Sequence, residues 1–181
     1  MYISKLINTY NCSNILDIGA GDGKIDKLIQ NKCNDVTISG LDVLIRDNTY
    51  IPISEYDGIH ISMDSNSVDT TMMIDVLHHT DDPLIVFNEA VRVSNKYIII
   101  KDHIKTNFIS YIKLKMMDYI GNKCYSVRLP YKYLTKKQWD NMFNTAKVKV
   151  VEYKTDLNLY TGIFHVLFDK NLHFITILEK E

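Results

Sequence analysis

Ile15-Leu16-Asp17-Ile18-Gly19-Ala20-Gly21-Asp22-Gly23-Lys24 decides the fold. Ile15 to Ile18 is a short apolar run of strand type, and the alternating glycines that follow allow a tight turn. From Lys24 to about Lys32, Ile25, Leu28 and Ile29 recur at helical spacing and predict one buried face. Strand, glycine turn and helix make one unit of a parallel α/β sheet. Upstream, Ile3, Leu6 and Ile7 predict a short N-terminal helix that Asn11 to Asn14 break.

The same alternation continues downstream. Strands are predicted at Val36 to Val43, Tyr50 to Ser54, Val68 to Ile74 and Tyr97 to Ile100, with a helix from Pro83 to Val93. Near-continuous apolar strands between amphipathic helices call for a parallel sheet covered on both faces. After Lys101 the spacing predicts a helix near Ile109 to Tyr119, a loop from Gly121 to Tyr133 and a helix from Thr135 to Ala146, with Thr135 as N-cap. Two last strands, Val148 to Tyr153 and Phe174 to Leu178, are joined by a long connection through Tyr160 and Phe168. The expected fold is α/β: a Rossmann-like, doubly wound, mostly parallel seven-stranded sheet ending in an antiparallel hairpin. At 181 residues with 46% hydrophobic content, one domain is expected. Residues 1–100 would form a cofactor-binding half and 101–181 a substrate-side half.

Composition narrows the function classes. No run of about 18 apolar residues and no basic-then-apolar leader occurs, so an intracellular, cytoplasmic protein without a membrane span is expected. Cys12, Cys33 and Cys124 form no CxxC pair and read as reduced thiols. The net charge of −1 hides an uneven distribution. Residues 1–100 carry 7 Lys and Arg against 14 Asp and Glu, whereas residues 101–154 carry 12 against 4. Such a basic segment suits a solvated face or an anionic partner such as a phosphate or nucleotide.

The glycine turn presents backbone N–H groups and a helix N-terminus to a ligand. A dinucleotide fingerprint would read GxGxxG; here it is GxGxG, with Asp17 two positions before Gly19. S-adenosylmethionine has no phosphate but carries a sulfonium and an amino-acid tail, whose ammonium a carboxylate such as Asp17 can meet. Asp42 lies 23 residues after Gly19, at a strand end where an acid can accept from both ribose hydroxyls. Asp57, after the third strand, can accept from the adenine amino group, and Gly58 lets the base approach the backbone. Ala20, inside the loop, and Val43, beside Asp42, complete this side of the predicted site.

ILDIGAGDGK, LDV, SVDTTMMIDVLHHTDDP, EAVRV and YIIIKDH together resemble class I methyltransferases of the group that includes the ubiquinone-biosynthesis C-methyltransferases. The resemblance covers residues 14–103. Beyond it, MMDYIGNKCYSVRLPYKYLTKKQW resembles a branch in which KDH precedes an MDxxGN…LPYxY stretch. It implies that Asp17, Gly19, Gly21, Asp42, Asp57 and the Asp75-Val76 turn line the cofactor site. The family often has Leu-Pro-Phe where this chain has Ile59 to Met63, a departure beside the adenine.

Catalysis should lie at the ends of the fourth and fifth strands, Asp75 to His79 and Lys101 to His103. Methyl transfer needs alignment, and a base only where the nucleophile carries a proton. His103, His79 and Lys101 are the candidates, with His78 read as a packing or hydrogen-bonding residue that fixes the loop. No HxxxH or Cys/His spacing predicts a metal ion. The substrate cover is expected at Phe108 to Tyr133, where Tyr111, Tyr119, Tyr125, Tyr131 and Tyr133 alternate with Lys113, Lys115, Lys123, Arg128 and Lys132.

The leading expectation is methyl transfer from S-adenosylmethionine to a small or medium-sized, small-molecule or nucleotide-like acceptor, with anionic acceptors suggested by the basic segment. RNA or cap 2′-O-methylation is an alternative, because Lys5, Asp75, Lys101 and Glu152 stand near the elements of a Lys-Asp-Lys-Glu tetrad. A catalytically silent, partner-activating subunit is another. The acceptor, the methylated atom and the oligomeric state are not encoded in any spacing.

Overall fold

The computed structural model describes residues 2–122, 130–157, 159 and 172–181. Helix α1 (Tyr2–Tyr10) leads into β1 (Asn14–Ile18), α2 (Lys24–Gln30), β2 (Thr37–Asp42), β3 (Ile53–Glu55) and β4 (Val68–Ile74). A 3₁₀ turn (Leu77–His79), α3 (Pro83–Val93) and β5 (Ser94–His103) follow, then α4 (Phe108–Asn122), α5 (Lys136–Thr145), β6 (Val148–Lys154) and β7 (His173–Lys180). The seven strands form one sheet in the order β3-β2-β1-β4-β5-β7-β6. β1 to β5 pair in parallel, and β7 inserts antiparallel between β5 and β6, as expected for the closing hairpin.

Side chains alternate along β5: Ile98 and Ile100 enter a core with Phe87, Trp139, Phe143 and Phe174, while Tyr97 and Ile99 enter a second core with Leu6, Ile7 and Ile29. Helix α1 docks by the face its spacing predicts, through Ile3, Leu6 and Ile7, and α2 does not. In α2 the buried residues are Asp26 and Ile29, and Ile25 and Leu28 stay half exposed. The helix starts at Gly23 with a left-handed backbone, φ 75°, and this entry turns Ile25 toward solvent and the site.

Two helices begin on side-chain caps. Asp82 accepts from the Leu84 N–H ahead of Pro83, and Thr135 forms a reciprocal box with Gln138. β5 is longer than its apolar run, because Lys101, Asp102 and His103 continue the pairing with β7. β3 begins at Ile53 rather than Tyr50. Gly121 and Asn122 belong to α4 and not to the loop expected there. Cys124, Lys123, Tyr125, Arg128 and the connection through Tyr160 and Phe168 lie outside the described residues.

Candidate active site

Between β1 and β4 the strand order reverses, and a cavity of about 800 Å³ opens at the carboxyl ends of the central strands. One side is walled by Gly19, Gly21, Asp42, Val43, Tyr56, Asp57 and Gly58. The other holds Asp75, Val76, His78, His79, Lys101 and His103, with Met117, Asp118 and Gly121 of α4. Two of the predicted residues, Asp17 and Ala20, lie behind this wall. Ala20 fills the space over Gly40, where a Cβ on Gly40 would come within 2.5 Å of the alanine methyl.

The loop is held to β2 by Gly19 N and Ala20 N, which donate to Leu41 O at 2.7 and 3.1 Å. Gly21 N donates to Asp42 Oδ2 at 2.8 Å, so the carboxylate at the end of β2 is tied to the glycine turn. Gly19 has φ 80°, and a Cβ there would lie 2.5 Å from Val76 Cγ2. The turn therefore requires glycine for both backbone and space. Asp57 Oδ1 accepts from Ile59 N at 2.8 Å and His60 N at 2.7 Å, which holds its carboxyl below the ordinary range.

Asp17 and Asp26 are both buried beneath this loop, with Asp17 Oδ1 and both Asp26 oxygens lacking hydrogen-bond partners among the described residues. Burial, and next the neighbouring Asp26, push the Asp17 carboxyl well above its ordinary value. Periodicity hid this pair, since Asp26 reads as an ordinary charged residue on a surface helix.

The far end of the cavity is a dense polar cluster. Lys101 Nζ donates to both oxygens of Asp75, at 2.7 and 2.5 Å. His78 Nδ1 lies 2.6 Å from Asp102 Oδ1, which also accepts from His103 N at 2.7 Å. Leu77 N donates to the other Asp102 oxygen at 3.1 Å. Tyr133 donates to Asp118, and His78 Nε2 lies 3.4 Å from Asp118 Oδ2. Burial disfavours charge on His78, but Asp102 outweighs it with help from Asp118, and the pKa is raised to about 10. His79, whose ring centroid lies 3.9 Å from that of His78 with the rings tilted by 47°, is lowered to about 4 by its own burial and by that charged neighbour. His79 is thus the neutral imidazole of the pair. His78, expected to be a packing or hydrogen-bonding residue that fixes the loop, is the centre of this network.

Of the four tetrad candidates only Asp75 and Lys101 meet. Glu152 accepts from Tyr2 and from Tyr10 at 3.3 Å, and Lys5 lies over the Tyr2 ring; neither lines the cavity.

Residues 16–97 match the sequence family described as a methyltransferase domain. Residues 16–97 carry a methyltransferase domain, within a sheet of the class I methyltransferase fold. S-adenosylmethionine is the cofactor of this domain, and its hydroxyls and ammonium are donors for which the acidic strand ends and the buried carboxylate oxygens are acceptors of fitting chemistry. No curated protein is significantly similar in sequence. Among solved structures, a SAM-dependent methyltransferase from Methanosarcina mazei superposes with TM-score 0.67 at 18% identity, over 95% of this chain and 96% of that one. YcgJ from Bacillus subtilis gives 0.67 at 15%, over the full length of both. Magnesium protoporphyrin IX methyltransferase from Synechocystis PCC 6803, with bound SAH, gives 0.66 at 10%, over 99% of this methyltransferase and 81% of that one. No described helix is long and apolar enough to cross a membrane.

Proposed function

We propose that this methyltransferase transfers the S-adenosylmethionine methyl group to a small or medium-sized acceptor carrying an ionisable O–H, N–H or S–H, within one domain whose residues 1–100 hold the cofactor and 101–181 the acceptor. One observation carries the reading: a single cavity joins the glycine turn and Asp42 to the His79, Lys101 and His103 cluster. The bound cofactor supplies an electrophilic methyl group on sulfur.

The chain's own residues then have separate tasks. Asp42, fixed by Gly21 N, accepts from the ribose hydroxyls, and Asp57 with Gly58 receives the adenine edge beside Val43. Asp17 compensates the ammonium from beneath the loop, and Val76 closes on Gly19. Lys101 is held by Asp75 and supplies positive charge near the acceptor, consistent with an anionic group there. His79, neutral at physiological pH, takes the acceptor proton, while His103 orients the acceptor from its buried position at the end of β5. Tyr133 of the LPYxY stretch donates to Asp118 of the MDxxGN stretch, which ties the two parts of the acceptor side together.

Calorimetry with S-adenosylmethionine and its demethylated product tests the cofactor assignment: saturable binding that Asp42→Ala weakens at least tenfold is expected. Unchanged affinity in that variant would overturn it. Turnover on a panel of small phenols, amines, thiols and carboxylates, lost in His103→Ala, tests the acceptor assignment.

A further inference from the structure

We infer that His78, His103 and Asp118 form a binding site for one divalent transition-metal ion of zinc type, open toward the acceptor side of the cavity. One ring nitrogen from each histidine and one Asp118 oxygen lie within 4.8 Å of one another, and all three residues are buried. Two imidazoles and a carboxylate are a ligand set of catalytic zinc sites, in which a fourth position stays open. Here the open side is the cavity, since all three residues line it.

The surroundings are those of an oriented ligand set. Metal-bound histidines usually donate their second ring N–H to a carboxylate, which fixes the tautomer. His78 Nδ1 does this toward Asp102 at 2.6 Å, leaving Nε2 to face Asp118. Nε2 and Asp118 Oδ2 are 3.4 Å apart and outside hydrogen-bonding geometry. That spacing is close to the edge of a tetrahedron with metal–ligand bonds of about 2.0–2.2 Å. Asp102 is itself held by two backbone N–H groups, and Asp118 by the Tyr133 hydroxyl. Three carboxylates, Asp75, Asp102 and Asp118, meet in this cluster against one lysine. A dication balances that charge better than a single proton on His78.

The role of the ion rests on the proposed methyl transfer; its binding does not. An acceptor hydroxyl at the open position would lose its proton to His79, which lines the same cavity. The resulting oxygen would form the new C–O bond as the C–S bond breaks, with that electron pair staying on sulfur. Lewis-acid polarisation of this kind lowers the pKa of a bound oxygen.

The full chain, stripped with a chelator and without cofactor or acceptor, is titrated with Zn²⁺ by calorimetry and with Co²⁺ by visible absorption. One saturable Zn²⁺ per chain is expected, weakened at least tenfold by Asp118→Asn and by His103→Gln, with tetrahedral d–d bands for Co²⁺. No saturable binding, or affinity indifferent to both substitutions, overturns the site. Circular dichroism checks that the variants fold. If they do not, the wild-type Co²⁺ spectrum decides, because a thiolate charge-transfer band would place the ion on cysteine. A failed cofactor titration would leave this result standing, and the reverse also holds.

Discussion

Lys101 Nζ lies 2.5 Å from Asp75 Oδ2 across the carboxyl ends of β5 and β4, and Asp75 holds that position with a left-handed backbone, φ 57°. The pair fixes a lysine, 12% exposed in its side chain, at the acceptor end of the cavity. Lys101→Met leaves the Asp75 carboxylate without its cation and should lower stability by about 1 kcal/mol, screened because Asp75 is partly exposed. Adding Asp75→Asn should recover most of that loss. Urea unfolding of the two single variants and the double variant measures the coupling, and strict additivity would mean the pair contributes nothing.

Gly19 and Gly21 separate two costs that sequence alone merges. Both have positive φ, but a Cβ on Gly19 meets Val76 at 2.5 Å, whereas one on Gly21 meets nothing within 4 Å. Gly21→Ala should cost about 1–2 kcal/mol of backbone strain. Gly19→Ala should cost more, by a further 1–3 kcal/mol or so of overpacking. Thermal unfolding of both variants would show the order reversed or absent if Val76 moves aside freely.

The buried carboxyls Asp17 and Asp26 make a pH prediction. Burial, then Asp26, raises the Asp17 carboxyl above its unfolded value. Its contribution to stability is therefore present in acid and lost as pH rises through the folded-state value. Asp17→Asn should raise the unfolding midpoint at pH 7, and the gain should vanish below the ordinary carboxyl range. The same variant should bind S-adenosylmethionine more weakly, so stability and affinity move in opposite directions.

Arg92 and Glu89 anchor the segment that departs from the family pattern. Arg92 donates to Ile61 O and Met63 O at 2.7 Å each, and Ile61 N donates to Glu89 at 2.9 Å. The Arg92 contact lowers Glu89 to about 2 from its ordinary 4.5. Stability from this group is complete above the unfolded value and falls away as pH drops through about 2. Glu89→Gln should be less stable than wild type at pH 7, with the difference shrinking between about pH 4.5 and 2. A constant difference across that window would assign the effect to packing.

Most of the fold was legible because local patterns had local causes. Pro83 to Val93 forms the helix its spacing predicts, started by the Asp82 cap, and Thr135 caps α5 as its side chain requires. Val68–Ile74 and the closing antiparallel pair follow from apolar runs that only a covered sheet can bury. Where the pattern failed, in α2, the glycine that opens the helix set a rotation that residue spacing does not encode.

By itself the sequence determined the glycine turn, the acidic strand ends at Asp42 and Asp57, and the α/β order that places them around one crevice, since each depends on neighbours a few residues apart. Only the tertiary structure decided which ionisable groups meet. His78, Asp102 and Asp118 come from a 3₁₀ turn, a strand and a helix, and Asp17 finds Asp26 across a turn that periodicity reads as surface. Charges separated along the chain acquire their protonation and partners from the burial and distances that folding imposes.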